Sequence, residues 1–335
     1  MMTSPVNSPI SRRSFVTGTL ATSLAATAGL ATGQPDRRKA QIAITFDLEM
    51  SRHYPRREML EWDYQKGNLD GPTKDYSVKA AEVAAELGGV IHFFLVGRVL
   101  EQSNIDWIKT IAQAGHPIGN HTYDHVNLLA DSATNAQYRF RRSPWLVKGR
   151  STAQLLRDNI ELTTIAMRDR AKIEPNGFRT PGGFSNGLAD REDLQKMLLD
   201  LGFTYVSSKY PRHISGETGQ PPGPEVYADI VRAQQEAQPF VYPTGLIEIP
   251  MSPISDVGAF RSRLWKREYF LKAVRLAVEW AIENGGVFDF LCHPSCMVVE
   301  DPDCETIRLI CDLVKQAGDR AEIVGLDTIA ANVKA

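Results

Sequence analysis

The sequence predicts an α/β fold in which parallel strands, wrapped by helices, form a barrel. From Ala40 onward, short apolar runs alternate with helical patterns, as in a parallel sheet covered by helices. Seven or eight such units follow one another in a chain of 335 residues, which favours a barrel over an open sheet. The hydrophobic content of 43% and the charged content of 23% are those of an ordinary globular protein.

The strands are predicted from short apolar runs bounded by turn residues. The first, 42–46, is a buried run that ends at Asp47. The clearest is 90–96, which reads Val-Ile-His-Phe-Phe-Leu-Val. The remaining predicted strands are 117–120, 177–179, 204–207, 246–250, 287–292 and 322–324.

The helices are predicted from apolar residues at helical spacing. In the first, 76–87, Val78, Ala81 and Ala84 repeat at that spacing, and Gly88 stops the helix. The other predicted helices are 105–114, 152–168, 191–201, 269–283, 304–315 and 328–333.

Two stretches interrupt the alternation and are predicted as long loops above the carboxyl ends of the strands. The first, 132–150, mixes arginines and lysine with aromatic residues, and the second, 210–242, is rich in Pro, Gly and Gln. Basic residues interleaved with aromatic ones can bind a polymer or an anionic group. A solvated surface loop is the alternative interpretation.

Residues 1–39 are predicted to be an export signal and a polar lead-in, followed by a single catalytic domain over 40–335. Arg12-Arg13-Ser14-Phe15-Val16 precedes a short stretch of small and apolar residues that is too weakly apolar to span a membrane. The arginine pair resembles the twin-arginine signal. We therefore expect an exported protein, periplasmic or extracellular, without a membrane-spanning segment in its mature part.

Charge and cysteines add two expectations. A net charge of −2 gives no reason to expect a nucleic-acid partner. The four cysteines are Cys292, Cys296, Cys304 and Cys311. An exported protein meets oxidising conditions, so at least one disulfide is expected, although the pairing stays open and Cys311 also fits a buried free thiol.

Two histidines and two acids predict a metal site. His121 and His125 are four residues apart, and on one helical turn they would project from the same face, as two metal ligands must. Asp47 and Glu49 follow the first predicted strand and offer carboxylate oxygens, one to ligate and one to act as a base.

Four polar residues end predicted strands: Asp47, His121, Arg179 and His293. In barrels of parallel strands the chemistry collects at the carboxyl ends of the strands. Core packing does not explain four polar residues at four strand ends. These positions are therefore predicted to meet in one active site.

Four segments, in this order along the chain, resemble the polysaccharide deacetylase family, the NodB-homology enzymes of carbohydrate esterase family 4. They are Thr45-Phe46-Asp47-Leu48-Glu49, His121-Thr122-Tyr123-Asp124-His125, Arg179-Thr180-Pro181-Gly182-Gly183 and Leu291-Cys292-His293-Pro294. The resemblance covers about 42–327. It implies a distorted (β/α) barrel of about seven parallel strands and a divalent metal, usually zinc, held by one acid and two histidines.

The resemblance also implies roles for individual residues. Asp47 matches the catalytic base, and His121 and His125 match metal ligands. The family usually has a second Asp directly after the base, where this chain has Leu48. Glu49 is assigned as the third ligand, because some members carry an acid two residues past the base.

Three further roles follow by matching position. Arg179 matches the arginine that pairs with the base, and His293 matches the general acid. Gly182 matches the residue whose backbone N–H stabilises the oxyanion. The family's usual aspartate that orients the acid is missing from 204–208, and Asp256 and Asp289 are possible substitutes that the sequence does not place.

The expected function is that of an exported metal-dependent hydrolase that removes N-acetyl groups from a polysaccharide or from peptidoglycan. Two alternatives stay open. The departures at Leu48, Glu49 and Gly182 allow an amidohydrolase of the same superfamily that acts on a small cyclic imide or ureide. A non-catalytic glycan-binding protein is the third reading, although such a protein has no evident use for a base and an acid.

Overall fold

A computed structural model describes residues 38–51, 53–54 and 66–333 of the chain. The predicted export signal therefore lies almost wholly outside the described residues. The strands are β1 (Ala40–Leu48), β2 (Ile91–Leu95), β3 (Ile118–Asn120), β4 (Phe178–Phe184), β5 (Tyr205–Lys209), β6 (Phe240–Val241), β7 (Ile247–Glu248), β8 (Val287–Cys292) and β9 (Ala321–Ile323).

The helices cover the sheet and connect its strands. They are α1 (Gly71–Glu86), α2 (Asp106–Gln113), α3 (Tyr138–Arg142), α4 (Thr152–Ala166), α5 (Glu192–Asp200), α6 (Pro224–Glu236), α7 (Arg267–Asn284), α8 (Pro294–Glu300), α9 (Glu305–Ala317) and α10 (Leu326–Asn332). None of the described helices is both long and apolar enough to cross a bilayer.

The sheet is a curled, mostly parallel half-barrel, which confirms the predicted fold class. The strand order among the described residues is β6-β7-β5-β4-β3-β2-β1-β8, with β9 paired to the start of β1. The seven strands from β7 to β8 pair in parallel, and the two-residue β6 is the antiparallel one. Every residue of β1 is buried, as expected for a central parallel strand with neighbours on both faces.

The helix boundaries follow local signals in the sequence. The side chain of Asp70 caps α1 by accepting from the Thr73 N–H, and Ser151 and Gln154 form a capping box at the start of α4. The apolar faces of these helices pack on the sheet to form the core. Each predicted strand has a counterpart whose ends differ by a few residues.

The prediction of a structureless loop over 210–242 is wrong, because α6 lies within it. This helix starts at Pro224, a favourable first position, and buries Val226, Tyr227 and Ile230 at helical spacing. The flanking Pro- and Gly-rich residues hide this pattern in the sequence. The 132–150 stretch also contains a short helix, α3.

The expected disulfide is also absent, since all four cysteines are free buried thiols. The Cys296 and Cys304 thiols lie against the tyrosine hydroxyls of Tyr54 and Tyr76, and Cys311 lies on the apolar face of α9. These three thiols therefore have partners other than a cysteine. The alternative of a buried free thiol holds for Cys311.

Candidate active site

Four strands of the sheet, β1, β3, β4 and β8, bring the predicted residues together. Asp47 is the last residue but one of β1, Glu49 directly follows that strand, His121 follows β3 and His293 follows β8. Arg179 does not end its strand as predicted: it is the second residue of β4, which continues to Phe184. Because β4, β3, β2, β1 and β8 are consecutive neighbours in the sheet, these positions face one centre.

Three side chains in this centre can hold a metal ion. One ligand atom from each of Glu49, His121 and His125 lies within 4.8 Å of the other two, and all three residues are buried. Glu49 Oε2 is 2.7 Å from His125 Nε2 and 3.5 Å from His121 Nε2. One carboxylate and two imidazoles are a donor set that zinc accepts.

The histidine pair lies on a loop and not on the predicted helical turn. Thr122 and His125 both have positive φ angles, 59° and 57°, which an α-helix does not contain. Local hydrogen bonds hold this loop. Asn120 Oδ1 accepts from the Thr122 N–H at 2.9 Å, and Thr122 Oγ1 accepts from the Val126 N–H at 3.0 Å. The spacing of four residues thus brings the two imidazole rings together through a turn of the loop and not through a helix.

The hydrogen bond of His121 and the burial of His125 suit metal ligation. His121 Nδ1 donates to the Arg179 carbonyl at 2.9 Å, so its Nε2 carries the lone pair that faces Glu49. Burial lowers the pKa of His125 to about 4, so this ring is neutral at pH 7. His121 Nε2 is buried and has no hydrogen-bond partner in the described part of the chain. A divalent metal would satisfy this atom.

Lys66 is a member of this centre that the sequence did not reveal. The residue is 3% exposed, and its ammonium pairs with Glu49 Oε1, the carboxylate oxygen that faces away from His121 and His125. Burial raises the pKa of Glu49, but the neighbouring His125 and Lys66 outweigh it and leave that pKa well below its usual range. Glu49 is therefore ionised, with a fixed cation on one of its oxygens.

Arg179 holds the predicted base, Asp47, in place. This side chain is fully buried, and its Nη1 donates to Asp47 Oδ1 at 3.3 Å and to Thr45 Oγ1 at 2.7 Å. Its Nη2 donates to Asp289 Oδ2 at 2.5 Å. Asp289 therefore serves the arginine and does not orient His293. Asp47 Oδ2 stays directed at the metal donors, 3.6 Å from His121 Nε2.

Asp256 orients the predicted acid. Its Oδ1 accepts from His293 Nδ1 at 2.9 Å, and its Oδ2 accepts from the His293 backbone N–H at 2.8 Å. His293 Nε2 then points to the two carboxylates, 3.4 Å from Glu49 Oε1 and 4.0 Å from Asp47 Oδ2. Burial lowers the pKa of His293, but Asp256 and the two site carboxylates outweigh it, so this pKa is raised.

A pocket of about 340 Å³ opens beside the centre. Both His125 and Gly182 line it. Gly182 has a φ of +78° at a register shift in β4, a conformation that favours glycine over the residues with a Cβ. The other lining residues come from the turn after His125, from α3 and from β4: Asn127, Asn135, Ala136, Gln137, Tyr138, Arg141, Pro181 and Phe184.

Two solved structures share the fold over nearly their whole length. A Mycobacterium smegmatis protein assigned to the polysaccharide deacetylases superposes with a TM-score of 0.57 at 18% identity, covering 90% of this chain and 92% of its own. The Puue allantoinase superposes with a TM-score of 0.56 at 12% identity, covering 89% and 91%. At such low identity the likeness concerns the fold alone.

Two sequence comparisons are more specific. A peptidoglycan-N-acetylglucosamine deacetylase of Bacillus cereus is 34% identical over 91 residues, which are 27% of this chain and 24% of that protein. A family model described as polysaccharide deacetylase matches residues 34–206, a span that includes Asp47, Glu49, His121, His125 and Arg179. Because this match covers more than half of the 335 residues, the chain belongs to the polysaccharide deacetylase family.

Proposed function

We propose that this protein is an exported, metal-dependent hydrolase that removes N-acetyl groups from a glycan. The observation that carries the proposal is the grouping of Glu49, His121 and His125 with a base and an acid, Asp47 and His293, whose Oδ2 and Nε2 atoms are 4.0 Å apart. Cleavage of an amide requires a proton acceptor for water and a proton donor for the amine.

Glu49, His121 and His125 would hold the metal, and zinc suits these donors. When bound, a divalent metal lowers the pKa of water and polarises the carbonyl of the substrate. Asp47 has one oxygen fixed by Arg179, so its Oδ2 is the atom that takes the proton from the attacking water. Gly182 offers its backbone N–H to the oxyanion from the wall of the pocket.

His293 completes the reaction as the general acid. Asp256 fixes its Nδ1–H, so Nε2 is the atom that gives a proton to the leaving amine. An amine leaves poorly as an anion, and protonation therefore has to accompany cleavage of the C–N bond. The raised pKa of His293 keeps more of this ring protonated near neutral pH than an ordinary histidine would be.

Acetate release from N-acetylglucosamine oligomers tests the proposal. The chain should release acetate when loaded with zinc and stop after chelation, and added zinc should restore the activity. No release from a protein shown to hold one metal per chain would contradict the deacetylase assignment.

A second candidate is an amidohydrolase for a small cyclic imide or ureide. The pocket volume of about 340 Å³ supports it, because this volume is near the lower end of the range for ligand pockets. Hydrolysis of a cyclic imide by zinc-loaded protein that leaves the oligomers intact would select this function.

Export is supported by Arg12-Arg13 and by the location of glycan polymers outside the cytoplasm. The test is fractionation of cells that express the full chain. The wild type should accumulate outside the cytoplasm, and a variant with Arg12→Lys and Arg13→Lys should remain inside. Equal export of both proteins would contradict the twin-arginine route.

A further inference from the structure

We propose that Arg141 recognises a carboxylate of the substrate, so that the preferred glycan carries an acidic substituent close to the N-acetyl group. This inference rests on the proposed hydrolase function and adds the substrate class. Arg141 lines the pocket that also contains His125 and Gly182, so one cavity connects one of the three candidate metal ligands, His125, to this arginine.

The charge inside the pocket has one sign. Among its lining residues, Arg141 is the one whose side chain carries a permanent charge. The other lining residues are amides, one tyrosine and small or apolar residues, and no carboxylate lines the cavity. A ligand group with a negative charge would therefore meet a cation and no competing acid.

The neighbouring arginines are engaged elsewhere, which distinguishes Arg141 from them. Arg139 Nη1 pairs with Asp124 Oδ1 at 2.8 Å, and this contact ties α3 to the loop that carries the two histidines. The guanidinium of Arg142 lies 5.7 Å from the centroid of the Tyr138 ring. Arg141 has no ion-pair partner within the described ranges 38–51, 53–54 and 66–333.

The chemistry of a single guanidinium favours a carboxylate over a phosphate. Two parallel N–H groups match the two oxygens of a carboxylate, whereas phosphate sites usually combine several cations or backbone N–H groups. The pocket is large enough for about one sugar residue beside the acyl group. An N-acetylated sugar with a carboxylate on the same or the adjoining residue meets both conditions.

The experiment compares two substrates that differ in whether one carboxyl group is free or methyl-esterified. Peptide-free glycan strands of alternating N-acetylglucosamine and N-acetylmuramic acid carry free lactyl carboxylates, and methyl esterification removes their charge. The zinc-loaded wild type should show a kcat/KM about tenfold higher for the free acid, mainly through KM, because a charge-assisted contact of this kind contributes to binding. The preference should weaken at high salt because Arg141 is exposed.

Variants assign the preference to this side chain. Arg141→Gln should treat the two strands alike, Arg141→Lys should retain part of the preference, and Lys148→Gln, which removes an equal charge outside the pocket, should behave as wild type. Equal kcat/KM for both strands in the wild type, or an unchanged preference in Arg141→Gln, would overturn the inference while leaving the deacetylase function intact. No acetate from either strand or from neutral oligomers would overturn both.

Discussion

Asp256 accepts two hydrogen bonds from His293, one from ring Nδ1 at 2.9 Å and one from the backbone N–H at 2.8 Å. The two residues are 37 positions apart, yet this pair sets both the direction of the ring and its charge. Among the charged groups that raise the pKa of His293 against the effect of burial, Asp256 has the largest effect. The orientation of His293, the proposed acid, thus depends on a residue outside the segment matched by the family model.

Asp256→Asn should therefore move the pH profile of the hydrolysis. An acid is active when protonated, so kcat/KM falls as pH rises through the pKa of His293. Without the charge of Asp256, burial lowers that pKa, and the alkaline limb should shift to lower pH. The rate at the optimum should fall by about a hundredfold, because the ring loses its preferred tautomer.

The measurement is kcat/KM from pH 5 to 10 with an N-acetylglucosamine oligomer. Asp303→Asn is the matched control, since it removes the same charge from a side chain that is 74% exposed. An alkaline limb that stays in place in Asp256→Asn would contradict the role of Asp256.

His293→Ala should slow amide hydrolysis much more than ester hydrolysis. An amine needs a proton to leave, whereas an activated aryl oxide leaves without one. The loss for the N-acetyl sugar should exceed the loss for an aryl acetate by about a hundredfold, within the usual range for a general acid. Equal losses for the two substrates would show that His293 is not the acid.

The sequence predicted most of the fold because periodic patterns are local. The apolar run of β2 and the helical spacing in α1 can be read without knowing what they pack against. The α6 helix was missed because Gly223 and the prolines before it dominate the composition of that stretch, although Val226 and Ile230 have helical spacing. A stretch of sequence that is rich in turn residues therefore conceals a helix that begins where those residues end.

The candidate site was predicted where the chemistry lies in short motifs and missed where it depends on tertiary contacts. The spacing of His121 and His125 identified the pair but not its loop conformation, because positive φ angles at Thr122 and His125 leave no signal in the residue types. Lys66 belongs to no motif, and Asp256 was one of two candidates, with Asp289, that the sequence did not place. Their partners, Glu49 and His293, are reached only after the chain has folded.

Arg179→Met should destabilise the protein by about 3–5 kcal/mol, because it leaves the buried carboxylates of Asp47 and Asp289 without their cation. Urea unfolding of the metal-free protein measures this loss. Arg275→Gln is the control, since that exposed pair with Glu279 should contribute no more than about 1 kcal/mol. A loss of less than about 1 kcal/mol for Arg179→Met would mean that both carboxylates are hydrated or protonated in the folded protein.

Lys66→Met should tighten zinc binding. The ammonium of Lys66 is held on Glu49 Oε1 while Glu49 Oε2 faces the two histidines, so a metal bound there meets a fixed cation across one carboxylate. A divalent ion and an ammonium about 5 Å apart at an effective dielectric constant of about 20 repel by about 7 kcal/mol, and the Glu49 carboxylate between them offsets most of this repulsion, which leaves about a tenfold change in affinity. Competition with a chromophoric chelator measures the affinity without any assay of activity.

Lys66→Arg keeps the charge and should bind zinc as weakly as the wild type. Equal or weaker binding by Lys66→Met would instead show that Lys66 stabilises the site by holding Glu49 ionised and in position.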